Sequence, residues 1–120
     1  MDEIAAFAPD DIVLTRTFDS SEGSVRLEVN TPRPFDTADP AGDHYCTFRI
    51  HAPADVSFDG AGKGVDAVQA LLLALAKSHE GLRRLCPELT FLGGTNLGLP
   101  VVTVKPDNAI EAVISLAPAL

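Results

Sequence analysis

Gly64-Val65-Asp66-Ala67-Val68-Gln69-Ala70-Leu71-Leu72-Leu73-Ala74-Leu75-Ala76-Lys77-Ser78-His79-Glu80-Gly81-Leu82-Arg83-Arg84-Leu85-Cys86-Pro87 is the stretch on which the fold turns. It lies in the proline-free interval between Pro53 and Pro87, and its spacing predicts a helix from Val65 to Leu85. At about 100° per residue, Val65, Val68, Leu71, Leu72, Leu75, His79, Leu82 and Cys86 share one broad stripe, with Asp66, Ala70, Lys77, Glu80 and Arg84 on the other side. The stripe should lie on a sheet. Gly64 suits an N-cap, Asp66 suits the positive end of the helix dipole, Arg83 and Arg84 suit the negative end, and Pro87 stops the helix.

Upstream, Ile12–Phe18 is rich in β-branched and apolar residues, and Ser24–Asn30 alternates, with Val25, Leu27 and Val29 on one face and Arg26 and Glu28 on the other. Asp19–Gly23 has the residue types of a hairpin loop. A third strand, His44–His51, puts Cys46, Phe48 and Ile50 opposite Tyr45, Thr47, Arg49 and His51. The three read as an antiparallel meander with one wet face. Asn30–Asp43, with Pro32, Pro34 and Pro40, is a connection longer than most within a domain. Downstream, Leu89–Leu92 and Val101–Lys105 read as short strands around a glycine-rich turn, and Asp107–Leu116 fits a helix or a strand equally. The expected fold is therefore α+β: a mainly antiparallel sheet of three to five strands with one long amphipathic helix packed on one face, in a single domain over residues 1–120.

Composition narrows the function. The net charge is −8, and all of it resides in residues 1–60, where twelve acids face four bases; residues 61–120 carry five of each. Without a basic stripe the chain has no electrostatic footprint for nucleic acid. No apolar run approaches the roughly 20 residues that span a bilayer, and Met1–Asp11 lacks the basic and apolar regions of a signal peptide. Cys46 and Cys86 are too few for a disulfide framework. These features point to a soluble cytoplasmic protein with no nucleic acid, membrane or cofactor partner.

Gly64-Val65-Asp66-Ala67-Val68-Gln69-Ala70-Leu71, then Leu89-Thr90-Phe91-Leu92-Gly93-Gly94 and Leu97-Gly98-Leu99-Pro100, resemble a family of small bacterial proteins of unknown function. In that family a Gly-x-Asp-Ala-x-Gln-Ala-Leu helix start precedes a Leu-Gly-Gly turn. The likeness spans about residues 44–100 and rests on mostly small and aliphatic positions. It implies a fold and a prokaryotic origin. No activity comes with it, so no functional residue does either.

Each chemically suggestive group has a plainer reading beside it. Gly60-Ala61-Gly62-Lys63-Gly64 invites a phosphate loop, yet the preceding glycine of that pattern is replaced by Ser57 and the following hydroxyl residue by Gly64, leaving a flexible pre-helical loop. His79 interrupts the apolar stripe as a boundary histidine or, with His44 and Cys46, as a poor metal chelate from strand and helix. Asp66 and Gln69 share the first helical turn, as end electrostatics or as a polar ligand contact. Leu73, amid Asp66, Lys77, Glu80 and Arg84, is an exposed leucine, an intrachain contact or the middle of an intersubunit one. Neither a nucleophile elbow nor a Cys–His pair within reach offers covalent catalysis.

The favoured expectation is a non-enzymatic protein-interaction module, a monomer or homodimer, using the wet sheet face with Arg26 and Arg49 or its acidic loops. Acidity alone extends this to an immunity or antitoxin-like role against a basic partner. The alternative is a small-molecule-binding protein or enzyme with its pocket between the 30–43 loop, the helix start and the 93–98 turn.

Overall fold

A computed structural model describes residues 3–116. The chain runs β1 (Ile12–Ser20), β2 (Gly23–Asn30), β3 (Arg33–Pro34), β4 (His44–His51), β5 (Ser57–Gly64), α1 (Ala67–Leu85), β6 (Val101–Val104) and β7 (Ile110–Val113). The α+β architecture is borne out: five strands form an antiparallel sheet and α1 packs on one face of it. β1 pairs with β2 and β2 with β4, whose other edge carries β5 along its full length. The short β3 pairs with Tyr45 and His44, prolonging the β2 edge inside what reads from sequence as a patternless connection.

Local chemistry sets the turns. Ser20 and Gly23 close the first hairpin around Ser21 and Glu22; Ser20 Oγ donates to Gly23 O at 2.7 Å and accepts from Glu22 N at 3.2 Å. Gly23 takes φ +131°, which a side chain rarely allows.

β5 corrects the expectation of a flexible glycine loop before the helix. Gly60, Gly62 and Gly64 alternate along a strand, so all three face α1. A Cβ on Gly62 would sit 2.2 Å from Ala74 N and 2.6 Å from Ala70 O; one on Gly64 would sit 2.4 Å from Ala70 N. On Gly60 it would meet the Phe48 ring at 2.4 Å. The glycines are there because the helix backbone and one aromatic ring occupy the space where side chains would stand.

That close seat also corrects the orientation of the helix. Ala70, Ala74, Ser78, Gly81 and Leu82 are buried, whereas Val65, Val68 and Leu72 are exposed. Only small residues fit over Gly62 and Gly64 and beside Phe58, so α1 turns its alanine and glycine face to β5, and Leu71, Leu75, Leu82 and Cys86 reach sideways into the core. The helix begins at Ala67 with Asp66, rather than Gly64, as its N-cap.

α1 covers β4 and β5; the inner face of β1 and β2 is covered by the segment after the helix. Leu89, Leu97 and Leu99 are buried with Phe18, Leu27 and Val29. Leu89–Leu92 is not a strand: Thr90 makes an isolated bridge to Asp19, closing the far end of the outer edge of β1, with both backbone bonds at 2.9 Å. Arg83 donates to Leu89 O and Thr95 O, holding this segment to the helix end. The ambiguous tail resolves as a strand, since β7 pairs with β6 across a turn where Asn108 has φ +67°. The two form a separate two-stranded sheet.

Candidate functional site

The outer face of the main sheet carries the charges that alternation predicts. Glu28 lies between Arg26 and His51: its Oε2 accepts from Arg26 Nε at 3.2 Å and its Oε1 from His51 Nε2 at 2.5 Å. Arg49 grips Asp59 with both prongs, Nε to Oδ1 at 2.7 Å and Nη2 to Oδ2 at 2.9 Å, and this fork holds the Asp59 carboxyl below its ordinary range. Arg26 and Arg49 are thus placed on one face but held in separate ion pairs, with Arg26 the more exposed.

Half of this face is not wet. The N-terminal segment lies across it, with Phe7 buried and its ring centroid 4.6 Å from the Arg49 guanidinium carbon. Asn30 anchors the segment: Oδ1 accepts from Ala8 N and Thr47 Oγ1, both at 2.8 Å, and Nδ2 donates to Ala8 O and Asp11 O, both at 2.9 Å. Asp11 in turn accepts from Thr31 Oγ1 at 2.8 Å and from Arg33 Nη2 at 2.8 Å; these bonds, Thr31 first, lower its carboxyl from the ordinary value. Thr47, expected on the wet face, is therefore buried.

At the helix start, Asp66 Oδ1 accepts from Gln69 N at 2.8 Å and Gln69 Oε1 accepts from Val65 N at 2.7 Å. This is a variant of the capping box, with Gln69 reaching the N–H of the residue before the N-cap, and it engages both side chains in the helix end. The 30–43 loop does meet the helix start, in an open concavity of about 270 Å³ bordered by Phe35, Asp43, Lys63 and Gln69. Gly98 lines a different cleft, so the structure divides what the sequence reading joined into one pocket. Leu73 is half-buried, its backbone close above Gly62.

His44 is buried, with Nδ1 2.7 Å from Gly42 O, and the buried Cys46 thiol donates to Asn30 O at 3.4 Å. Burial pushes the Cys46 thiol up to about 11 and, in smaller measure, lowers His79 from its ordinary value. Among the described residues no three His, Cys, Asp or Glu side chains approach closely enough to hold a metal ion, so His44, Cys46 and His79 form no chelate. Every buried side-chain nitrogen and oxygen among them has a partner.

Two features escaped the sequence reading. Arg16 occupies the inner face of β1, in phase with Leu14 and Phe18 and opposite Leu27. Its Nη1 donates to Leu97 O at 3.1 Å and Gly98 O at 3.2 Å, and its guanidinium carbon lies 4.4 Å from the centroid of the Phe91 ring. Beside it opens a cleft of about 160 Å³ lined by Leu14, Leu27, Val29, Leu75 and Leu99. The signal was present: in Leu14-Thr15-Arg16-Thr17-Phe18, strict alternation puts the arginine in the apolar phase. The second feature is the β6–β7 hairpin, whose Val101 and Val113 pair on one face and Val104 and Ile110 on the other, all exposed.

Residues 14–101 match the family model of a domain of unknown function, DUF6968. The chain belongs to this family. The DUF6968 match takes in the main sheet from Leu14 onward, α1 and the covering segment, and it ends at Val101, where the hairpin begins. An uncharacterised family is thus borne out, over a longer span than the 44–100 block. No curated protein and no solved structure matches the chain. No helix among the described residues is long and apolar enough to cross a membrane.

Proposed function

We propose that the protein is a non-enzymatic protein-interaction module whose partner covers the β6–β7 hairpin. One observation carries this reading: Val101, Val104, Ile110 and Val113 are 47%, 68%, 61% and 54% exposed, on both faces of one strand pair. An isolated two-stranded hairpin is marginal in water, and a strand pair with one wet face would carry polar residues on it. One face of the hairpin, Val102 with Ala112 and Val104 with Ile110, is wholly apolar, the composition of a covered face, while Val101 and Val113 share the other with Thr103 and Glu111. Val65, Val68 and Leu72 on α1 are exposed as well. A bacterial cytoplasm is the setting that the sequence resemblance and the free thiols of Cys46 and Cys86 favour.

The immunity or antitoxin-like version places a basic partner on the acidic loop, where Asp36, Asp39 and Asp43 lie exposed. The two docking surfaces separate by experiment. A photo-crosslinking residue placed at Val104, and separately at Asp39, is irradiated in fresh cell lysate at low and at high salt and the products are resolved by mass. A discrete salt-resistant product from position 104 is expected, at twice the chain mass for a homodimer or at another mass for a different protein. A product only from position 39, lost at high salt, transfers the function to the acidic loop. No product at either position overturns the module reading.

A further inference from the structure

Of the nine Lys and Arg residues, Arg26, Arg33, Arg49 and Lys105 have a carboxylate within 4 Å; among the other five, Arg16 and Arg83 are partly buried, and Arg16 is the one that lines a cleft on the core side of the sheet. Its Nη1 is engaged by two backbone carbonyls and its face by Phe91. Those contacts fix the orientation of the guanidinium and leave Nε and Nη2, the edge that forks a carboxylate in two parallel hydrogen bonds. A cation half out of water with only neutral acceptors is incompletely compensated, and an anion completes it.

Apart from Thr15 and Gly98, the cleft beside Arg16 is lined by aliphatic side chains. Leu14, Leu27, Val29, Leu75 and Leu99 form its walls, and no acidic residue lines it although the chain carries seventeen. Its volume of about 160 Å³ is that of a small organic group; a dry protein cavity of about 150 Å³ accepts benzene. One fixed cation at the wall of a small apolar cleft is the arrangement that selects a charged head with a short hydrocarbon tail.

We propose that this cleft is a binding site for a small apolar monocarboxylate, of the size of benzoate or hexanoate, with its carboxylate on Arg16 and its tail against Leu27, Val29, Leu75 and Leu99. The site is independent of the hairpin, because it is built within the family-matched body from β1, β2, α1 and the segment before β6. Binding ties Gly98 and Leu99 more firmly to β1, since the ligand bridges Arg16 and the leucine walls.

The test is a titration of the ¹⁵N-labelled full chain with hexanoate and benzoate, and with hexanol as the neutral analogue, followed by amide chemical shifts. The expected result is saturable shifts at residues 14–16, 27–29 and 97–99, with hexanol at least tenfold weaker. Arg16→Lys keeps the charge but loses the fork, and should weaken hexanoate about tenfold or more. Leu75→Trp fills the cleft without touching the guanidinium, and should abolish binding with the amide spectrum otherwise folded, which keeps the test decisive if Arg16→Lys unfolds. Hexanol binding as well as hexanoate, shifts that never saturate or that map to Lys63 and Lys77, or unaltered binding by Leu75→Trp would each overturn the assignment.

Discussion

Gly62→Ala puts the seat of the helix to the test. The new Cβ would lie 2.2 Å from Ala74 N, 2.6 Å from Ala70 O and 2.6 Å from Leu73 C, against ordinary contacts of roughly 3.5–4.0 Å. All three atoms are helix backbone, so no side chain can swing aside; α1 must lift from β5 by about 1 Å. A gap of that size forfeits up to about half of each dispersion contact beneath Ala70 and Ala74, and overpacking of this kind costs about 1–3 kcal/mol or more. The loss belongs at the upper end, about 3 kcal/mol, out of a total of about 5–15 kcal/mol for a domain. Urea unfolding reads it directly: with m of about 1–3 kcal/mol/M, the midpoint should fall by at least about 1 M at unchanged m. Gly94→Ala, whose Cβ would meet Phe91 O at 3.8 Å, is the control and should be close to neutral. Were Gly60–Gly64 a flexible loop, Gly62→Ala would instead stabilise by about 0.4–1 kcal/mol through the unfolded chain. A midpoint equal to or above that of the wild type refutes the close seat and the glycine strand with it.

Asn30→Ala should cost on the order of 3 kcal/mol in the same assay, because it orphans the buried Thr47 hydroxyl and backbone groups of Ala8 and Asp11, each worth about 1–3 kcal/mol; limited proteolysis should then cut within residues 3–11, and resistance there would contradict the anchoring. Stability should fall with pH in two stages. His79, lowered by burial, binds its proton more readily when unfolded, so stability declines as pH drops below about 6.5. Asp11 and Asp59, lowered in the folded state by Thr31 with Arg33 and by Arg49, contribute stability that is complete above about pH 3.9 and is lost as pH falls further. His79→Gln should flatten the upper stage, and Asp11→Asn with Asp59→Asn the lower; urea midpoints from pH 8 to 2 that keep both stages in these variants would reject the assignment. Cys86 should react with iodoacetamide before Cys46, which is buried and raised to about 11, giving a plateau at one adduct by intact mass; two adducts at equal rates would show that Cys46 is accessible.

Much of this protein is legible along the chain because the signals are local. Alternation in Ser24–Asn30 and His44–His51 marks β2 and β4, since period-two apolar placement needs only one buried face. The proline-free helix ends at Leu85 before Pro87, as its spacing predicts, although its cap is Asp66 with Gln69 and not the expected Gly64. What misleads is β5: Ser-Phe-Asp-Gly-Ala-Gly-Lys-Gly has the composition of a loop, and its glycines become intelligible only beside α1. The same contact inverts the helix reading, because hydrophobicity favours the leucine and valine stripe whereas Gly62 and Gly64 bring β5 onto the helix backbone at Ala70 and Ala74, and Gly81 leaves room for Phe58 and Ile50.

By itself, then, the sequence determined the α+β class, the central strands, the length of the helix and the absence of a basic stripe, all properties of residues close together in the chain. Tertiary structure alone decided which face of α1 is buried, that Phe7 and Asn30 close part of the outer sheet face, that Arg16 stands at a largely apolar cleft, and that the Val101–Val113 hairpin leaves Val101, Val104, Ile110 and Val113 exposed. Each of these depends on a contact between distant segments, and one sequence carries no record of which distant backbone will fill the space a glycine leaves open.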